Sequence, residues 1–294
     1  MNKFTIKDLE NLSGIKAHTI RIWEQRYNFL RPQRTATNIR YYSNQELKTL
    51  LNISLLNKYG YKISHINKMS PDELRSKLTS LSGGQAQQER IVNDLIQYMI
   101  DLDIENFESL LDQHIDSRGI EKTIHHIIFP FLDRIGILWL TDHINPAQEH
   151  LITNVIRQKI IVGIENISTI FDLKTTILLF MPENEHHELG LLYLQYLLKS
   201  RGVKTIYLGA NVPVADLEFV VQLKKPDYVY THLTTVMKEF NFQKFLNHVV
   251  AKLPNSKVMI SGLVTQTYEK SAPSENIHFL RSLQEVHEFI GTLK

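Results

Sequence analysis

The chain has 294 residues, 43% of them apolar and 22% charged, and no cysteine, the composition of a globular protein of two or three domains. Disulfides, thiolate metal sites and cysteine nucleophiles are excluded. With no apolar run of about eighteen residues and no apolar leader, neither a membrane span nor a secretion signal is expected, so a cytoplasmic protein is the simplest expectation. The net charge of +2 conceals an asymmetry: residues 1–68 hold 12 Lys and Arg against 4 Asp and Glu, or +8, which leaves −6 for the remainder. A polyanionic partner is therefore expected at one end only.

At the amino terminus, Thr5 precedes apolar residues at positions 6, 9 and 12, the pattern of a capped helix. Ser13-Gly14-Ile15 reads as a tight turn, and Lys16 to Arg26 as a second helix with Ile20 and Trp23 facing inward. Lys16, His18, Thr19, Arg21, Glu24, Gln25 and Arg26 are then turned outward, and most are types suited to base edges and phosphates. The basic, turn-rich segment Arg31 to Tyr42 suits a β-wing that grips the phosphate backbone through Arg34, Arg40 and Tyr41. Ser43 caps a helix over 44–58, and Gly60 opens another. Ile6-x-x-Leu9, Ile20-Arg21-x-Trp23-Glu24, Pro32-x-Arg34 and Arg40-Tyr41-Tyr42 stand in one order and spacing. In these pieces residues 3–70 resemble the MerR family of winged-helix regulators. The resemblance implies a DNA-binding domain over residues 1–72 and a double-stranded DNA operator as partner.

Ser70-Pro71 begins a polar connector, and residues 73–88 read as a linker whose clearest part is Ser80 to Gln88. Residues 89–170 carry helical periodicity with breaks near 103–105, 117–120 and 141–146, which makes four helices and a bundle. Asn145-Pro146-Ala147-Gln148 is a helix start, with Asn as N-cap, Pro at N1 and Gln at N3. Trp139 closes the third helix, and Glu149 and His150 enter the fourth. From 171 to 294 short apolar runs alternate with helical patterns. Strands are expected at 174–181, 203–208, 227–231, 257–261 and 277–280, with helices near 189–201, 213–224, 240–253 and 282–292. This is a doubly wound α/β domain of flavodoxin-like size.

Glu185-x-His187-x-x-Gly190 follows the first of these strands, at the carboxyl edge where open α/β sheets bind ligands. A loop imidazole there can ligate a metal while the carboxylate holds its other nitrogen, and Gly190 permits close approach. Thr231-His232-Leu233 ends the third strand and Ser261-Gly262 the fourth. These segments resemble the cobalamin-binding module, whose pattern is D/E-x-H-x-x-G, then Ser/Thr-x-Leu about forty residues on, then a Gly-Gly pair. Ser261 departs from that pattern by replacing one glycine. The resemblance implies that His187 is the lower axial cobalt ligand, oriented by Glu185. His186 is a competing ligand out of phase with the motif. The nucleotide tail would thread between Gly190, Thr231 and Gly262, beside Leu233 and Ser261, with Asn211, Val212 and Pro213 as a further wall.

Trp139, nine intervening residues, then Glu149-His150 is similar to the upper-face signature of the cobalamin-dependent light-sensing MerR repressors (CarH/LitR type). There it shelters a 5′-deoxyadenosyl group, which an indole can stack on. Taken whole, the chain is identified as resembling that class: multidomain α and α/β, with a winged helix-turn-helix, a four-helix bundle and a cobalamin-binding doubly wound parallel sheet. The resemblance implies a repressor rather than an enzyme, adenosylcobalamin as cofactor, and a ligand-dependent homo-oligomer, dimer or tetramer, that light disassembles. One position departs. Where the class has an upper-ligand histidine this chain has Leu140, which cannot ligate, leaving His143, His150 or water. Two alternatives stay open: a light-independent sensor of cobalamin level, which Leu140 permits, and an apo regulator whose vestigial cobalamin domain docks proteins, which rests on Ser261. A methyl carrier or mutase subunit is disfavoured by the fused winged helix, and a metal sensor by the lack of cysteine.

Overall fold

The computed structural model describes residues 3–27, 29–81, 83–139, 144–169, 172–234, 240–268, 272 and 274–294, and of residues 137–139 the backbone alone. The chain forms two compact units, Met1–Ile156 and Arg157–Lys294. Among the described residues no helix is long and apolar enough to cross a membrane.

In the first unit, α1 (Ile6–Ser13) begins at Thr5, whose hydroxyl accepts from the Asp8 N–H while the Asp8 carboxylate accepts from the Thr5 N–H. Such reciprocal caps are worth about 1 kcal/mol. Gly14 ends the helix at φ 72°, a left-handed conformation that favours glycine. Next come α2 (Ala17–Arg26) and a two-stranded antiparallel wing, β1 (Gln33–Arg34) and β2 (Arg40–Tyr41). Ser43 and Glu46 form a second capping box ahead of α3 (Asn44–Lys58), and α4 (Ile63–Ile66) follows. Phe4, Leu9, Leu12, Ile20, Trp23, Tyr42 and Leu47 make the buried core of this module.

The polar stretch expected as a linker is mostly helical. α5 (Pro71–Thr79) occupies its first half and α6 (Gly84–Asp101) begins near its end, which leaves 80–83 as the connection. The cause is local. Ser70 accepts from the Glu73 N–H, Glu73 accepts from the Ser70 N–H, and Pro71 sits at N1, so polarity here is capping chemistry.

The bundle comprises α6 (Gly84–Asp101), α7 (Ile104–Arg118), a third helix and α10 (Pro146–Glu165). The third helix is composite: α8 (Ile120–Thr123), a π-helical turn (Ile124–Ile128) and α9 (Phe129–Trp139). Pro130 lies just past the wide turn, and a proline that cannot donate its N–H is a usual neighbour of such a defect. Asn145 and Gln148 start α10 as expected: Ala147 N–H donates to Asn145 Oδ1 and Asn145 N–H to Gln148 Oε1. The helices of the amino-terminal module pack on the bundle, α1 against α9 and α3 against α6. Arg134 of α9 donates to the Leu12 carbonyl of α1 and to Asn93 Oδ1 of α6, and Asn93 Nδ2 donates in turn to the Leu51 carbonyl of α3.

The second unit alternates strand and helix: β3 (Thr176–Pro182), α11 (Leu189–Ser200), β4 (Lys204–Val212), α12 (Val214–Lys224), β5 (Tyr228–His232), α13 (Phe242–Lys252), β6 (Lys257–Ser261), α14 (Leu263–Thr267), β7 (Ile277–Leu280) and α15 (Leu283–Gly291). Its five strands are all parallel, in the order β4-β3-β5-β6-β7. The chain therefore leaves β3 in one direction and returns to its other side. The carboxyl end of β3 is the switch point where this architecture opens a crevice. Every expected strand is present, and only the short α14 was not anticipated.

Candidate functional site

Pro182 ends β3, and residues 183–188 carry the chain across the switch point into α11. Glu185 is the anchor of this loop. Its Oε1 accepts from the His186 N–H and the His187 N–H, both at 2.9 Å, and lies 2.6 Å from His187 Nδ1. Burial pushes the Glu185 carboxyl up, but the bonds from the His187 ring and from the two N–H groups outweigh burial and hold it below the usual carboxylate range. The Glu185 side chain is 7% exposed and that of His187 51%. The dyad thus presents an oriented imidazole to the crevice, with Nδ1 committed to the carboxylate. A carboxylate that holds one ring nitrogen in this way fixes the tautomer and the ring orientation of a metal-ligating histidine. Among the described residues no three His, Cys, Asp or Glu side chains converge as a metal site.

The loop is clamped from β4. Asn211, at φ 58°, accepts from the Asn184 N–H through Oδ1 and donates its own N–H to the Glu185 carbonyl. Val212 is buried in the sheet's core and Pro213 caps α12. The expected wall is a brace for the histidine loop. A second brace was not foreseen: Glu188 accepts from Arg157 of α10 and, at 3.2 Å, from the Tyr207 hydroxyl. Burial and the Glu188 charge push that phenol up.

Gly190, Thr231, Leu233, Ser261 and Gly262 lie at the neighbouring ends of β3, β5 and β6. Gly262 stands at φ 102°, and a Cβ there would meet the Leu233 carbonyl oxygen at 2.1 Å. The Thr231 hydroxyl is fully buried and finds no partner among the described residues, an orphan at a motif position. His232 had no role in the sequence reading, yet its ring lies directly against Gly190. Burial pushes its imidazole down to about 4, against the pull of the Glu185 charge. The dyad, the orphan hydroxyl and the glycine at each wall fit a corrinoid ligated through His187; His232 narrows the same slot.

Of the upper-face residues, Trp139 closes α9 in its backbone, while its side chain, Leu140 and His143 lie outside the described residues. Glu149 and His150 occupy the first turns of α10, His150 exposed.

On the amino-terminal module Lys16, His18, Arg21, Arg26 and Arg34 are exposed, and Thr19, Arg40 and Tyr41 partly so. Lys16 is the N-cap residue of α2 and pairs with Glu10 at 3.3 Å. Arg34 donates to Asn38, and the Tyr41 hydroxyl donates to Gln33, which stiffens the wing. Glu24, expected outward, is instead turned to the wing: its carboxylate accepts from the Tyr42 hydroxyl and lies 3.5 Å from Arg40 Nε. Desolvation of a carboxylate is tolerated there because two donors compensate it.

Comparison with known proteins finds two family patterns in the chain. The MerR HTH family regulatory protein pattern matches residues 4–73 and the B12 binding domain pattern residues 91–162. The chain is 24% identical to the HTH-type transcriptional repressor CarH of Myxococcus xanthus, over 98% of each chain. It is 25% identical to the repressor CarA of the same organism, over 96% of this chain and 94% of that one. The monomethylamine corrinoid protein of Methanosarcina barkeri shares the fold, with a TM-score of 0.51 at 12% identity over 69% of this chain and 97% of the other.

Proposed function

We propose that this MerR-type DNA-binding protein with a B12-binding domain is a transcriptional repressor that reads the state of a bound cobalamin, adenosylcobalamin in the dark, from the crevice at the end of β3. The observation that carries this reading is the Glu185–His187 dyad on the switch-point loop, in one chain with a basic helix-turn-helix. His187 would ligate the cobalt, Glu185 would fix its ring, and Asn211 would hold the loop against the sheet. Trp139, Glu149 and His150 would shelter the upper ligand. When bound, adenosylcobalamin supplies a cobalt–carbon bond that light can cleave. Lys16, His18, Thr19, Arg21 and Arg26 on and before α2, with Arg34, Arg40 and Tyr41 of the wing, would hold a double-stranded operator.

A ligand that favours one assembly state by differential affinity shifts the chain between a DNA-gripping homo-oligomer, dimer or tetramer, and a released form. One observation favours a second reading: Leu140 cannot ligate cobalt, so a sensor of cobalamin level indifferent to light is the alternative. The test is the visible spectrum of the full chain reconstituted in the dark, freed of unbound ligand and then illuminated, with operator binding followed in parallel. A retained spectrum that changes with light, together with release of DNA, supports the first reading. A retained but photostable chromophore supports the second. Absence of retained colour refutes both.

A further inference from the structure

His232 occupies the unspecified position of Thr231-x-Leu233, and its ring lies where the glycines of the slot make room. A Cβ on Gly190 would stand 2.3 Å from His232 Cδ2 and 2.5 Å from Nε2, so the imidazole rests on a bare Cα. His232 Nδ1 is 2.7 Å from Ser261 Oγ. Ser261, 2% exposed, is the residue that replaces one glycine of the Gly-Gly pair. The serine departure and the bulky ring at the unspecified position thus touch each other, and together they fill volume that glycine hydrogens would leave open.

The walls cannot spread to compensate. His232 and Ser261 are directly paired in the β5–β6 ladder. Leu233 N–H donates to the Ser261 carbonyl at 2.9 Å, and Gly262 already lies so close to Leu233 that a Cβ would overlap its carbonyl. Room for a nucleotide base beside Gly190 can come only from rotating His232 out, which breaks its bond to Ser261 and exposes the groups that bond had satisfied.

We propose that His232 and Ser261 form a specificity pair that fills the slot for the lower nucleotide, so that this domain favours a corrinoid whose base is absent or stays outside over one whose base must enter. The inference rests on the corrinoid reading above.

The experiment is a spectral titration, in the dark, of the unliganded full chain with adenosylcobalamin and with adenosylcobinamide, which lacks the nucleotide. It is run on the native protein, His232→Ala and the double variant H232A/S261G. The native protein is expected to hold cobinamide at least as tightly as cobalamin. The double variant is expected to hold cobalamin about tenfold more tightly than the native protein does, with cobinamide changed by less than about threefold. Thermal melting of the unliganded variants checks their fold. Should the double variant not fold, H232A and the native ratio decide. Native protein that holds cobalamin about tenfold tighter than cobinamide, with no gain in H232A, overturns this inference and leaves the corrinoid reading intact. Failure of both ligands on every folded form overturns the two together.

Discussion

Replacing Arg134 by leucine removes the one guanidinium that joins α1, α6 and α9 at a shared point. Its two hydrogen bonds, to the Leu12 carbonyl and Asn93 Oδ1, are charge-assisted and contribute about 1.5–3 kcal/mol each. Against them stands burial, which pushes the guanidinium down to about 10 and costs about 3 kcal/mol on the usual conversion, less to the extent that water reaches a partly exposed group. The gain and this cost nearly offset at the low end. What decides the sign is what the leucine leaves behind: a Leu12 carbonyl among the last four of α1, with no donor in its own helix, and an Asn93 that is 3% exposed. Stranding two such acceptors costs about 1–3 kcal/mol each, so R134L should lose roughly 3 kcal/mol. For a unit of this size that is a fall in Tm of about 6–12 °C. Chemical denaturation and thermal melting of the full chain measure it. A double-mutant cycle with Asn93→Ala should show coupling of about 1–2 kcal/mol. A loss below about 0.5 kcal/mol, or additivity of the two substitutions, would refute this account of how the DNA-binding module is held.

Four further outcomes are expected. Burial pushes the Asp94 carboxyl up to about 6, above its ordinary value of about 3.9; since the folded pKa lies above the unfolded one, the unfolded chain releases its proton first, and stability falls as pH rises between those values. Asp94→Asn should therefore be more stable than the native protein by roughly 1–2 kcal/mol at pH 7, with the difference fading near pH 4, as read from denaturant midpoints at the two pH values. Gly262→Ala forces a Cβ against the Leu233 carbonyl at φ 102° and should cost about 3 kcal/mol or more, seen as a lower melting temperature; a neutral result would mean the strand ends are looser than described. His187→Ala should weaken corrinoid retention by more than about tenfold, and Glu185→Gln by about 10–100-fold, while unliganded melting curves barely move. Arg34→Ala should weaken DNA binding alike for all sequences and reduce the salt slope by about one; an effect confined to one sequence would make Arg34 a base reader.

Much of the second unit was legible in the sequence because its central strands β3, β5 and β6 are buried on both faces and its turns are punctuated. Apolar runs such as Thr176–Pro182 and Lys257–Ser261 have no other stable use, and Glu185-x-His187 is a dyad whose contact needs only one loop. The amino-terminal module was legible for a different reason: Thr5, Gly14 and Ser43 act within a turn of themselves, so their chemistry is local. The same locality misled at residues 71–79, where capping residues looked like linker polarity until the reciprocal bonds of Ser70 and Glu73 were in view.

What the chain determines by itself is therefore what depends on neighbours in sequence: element identity, caps, the histidine loop and the basic face of α2. What only tertiary structure decided depends on groups far apart in the chain. His232 meets Gly190 and Ser261 because parallel pairing brings three strand ends to one edge. Glu24 turns to the wing because Tyr42 and Arg40 supply donors there. Arg134 reaches Leu12 across 122 positions. Side-chain period states which face a residue takes, but not which distant group will fill the space before it, since that follows from packing and from the need of every buried polar atom for a partner.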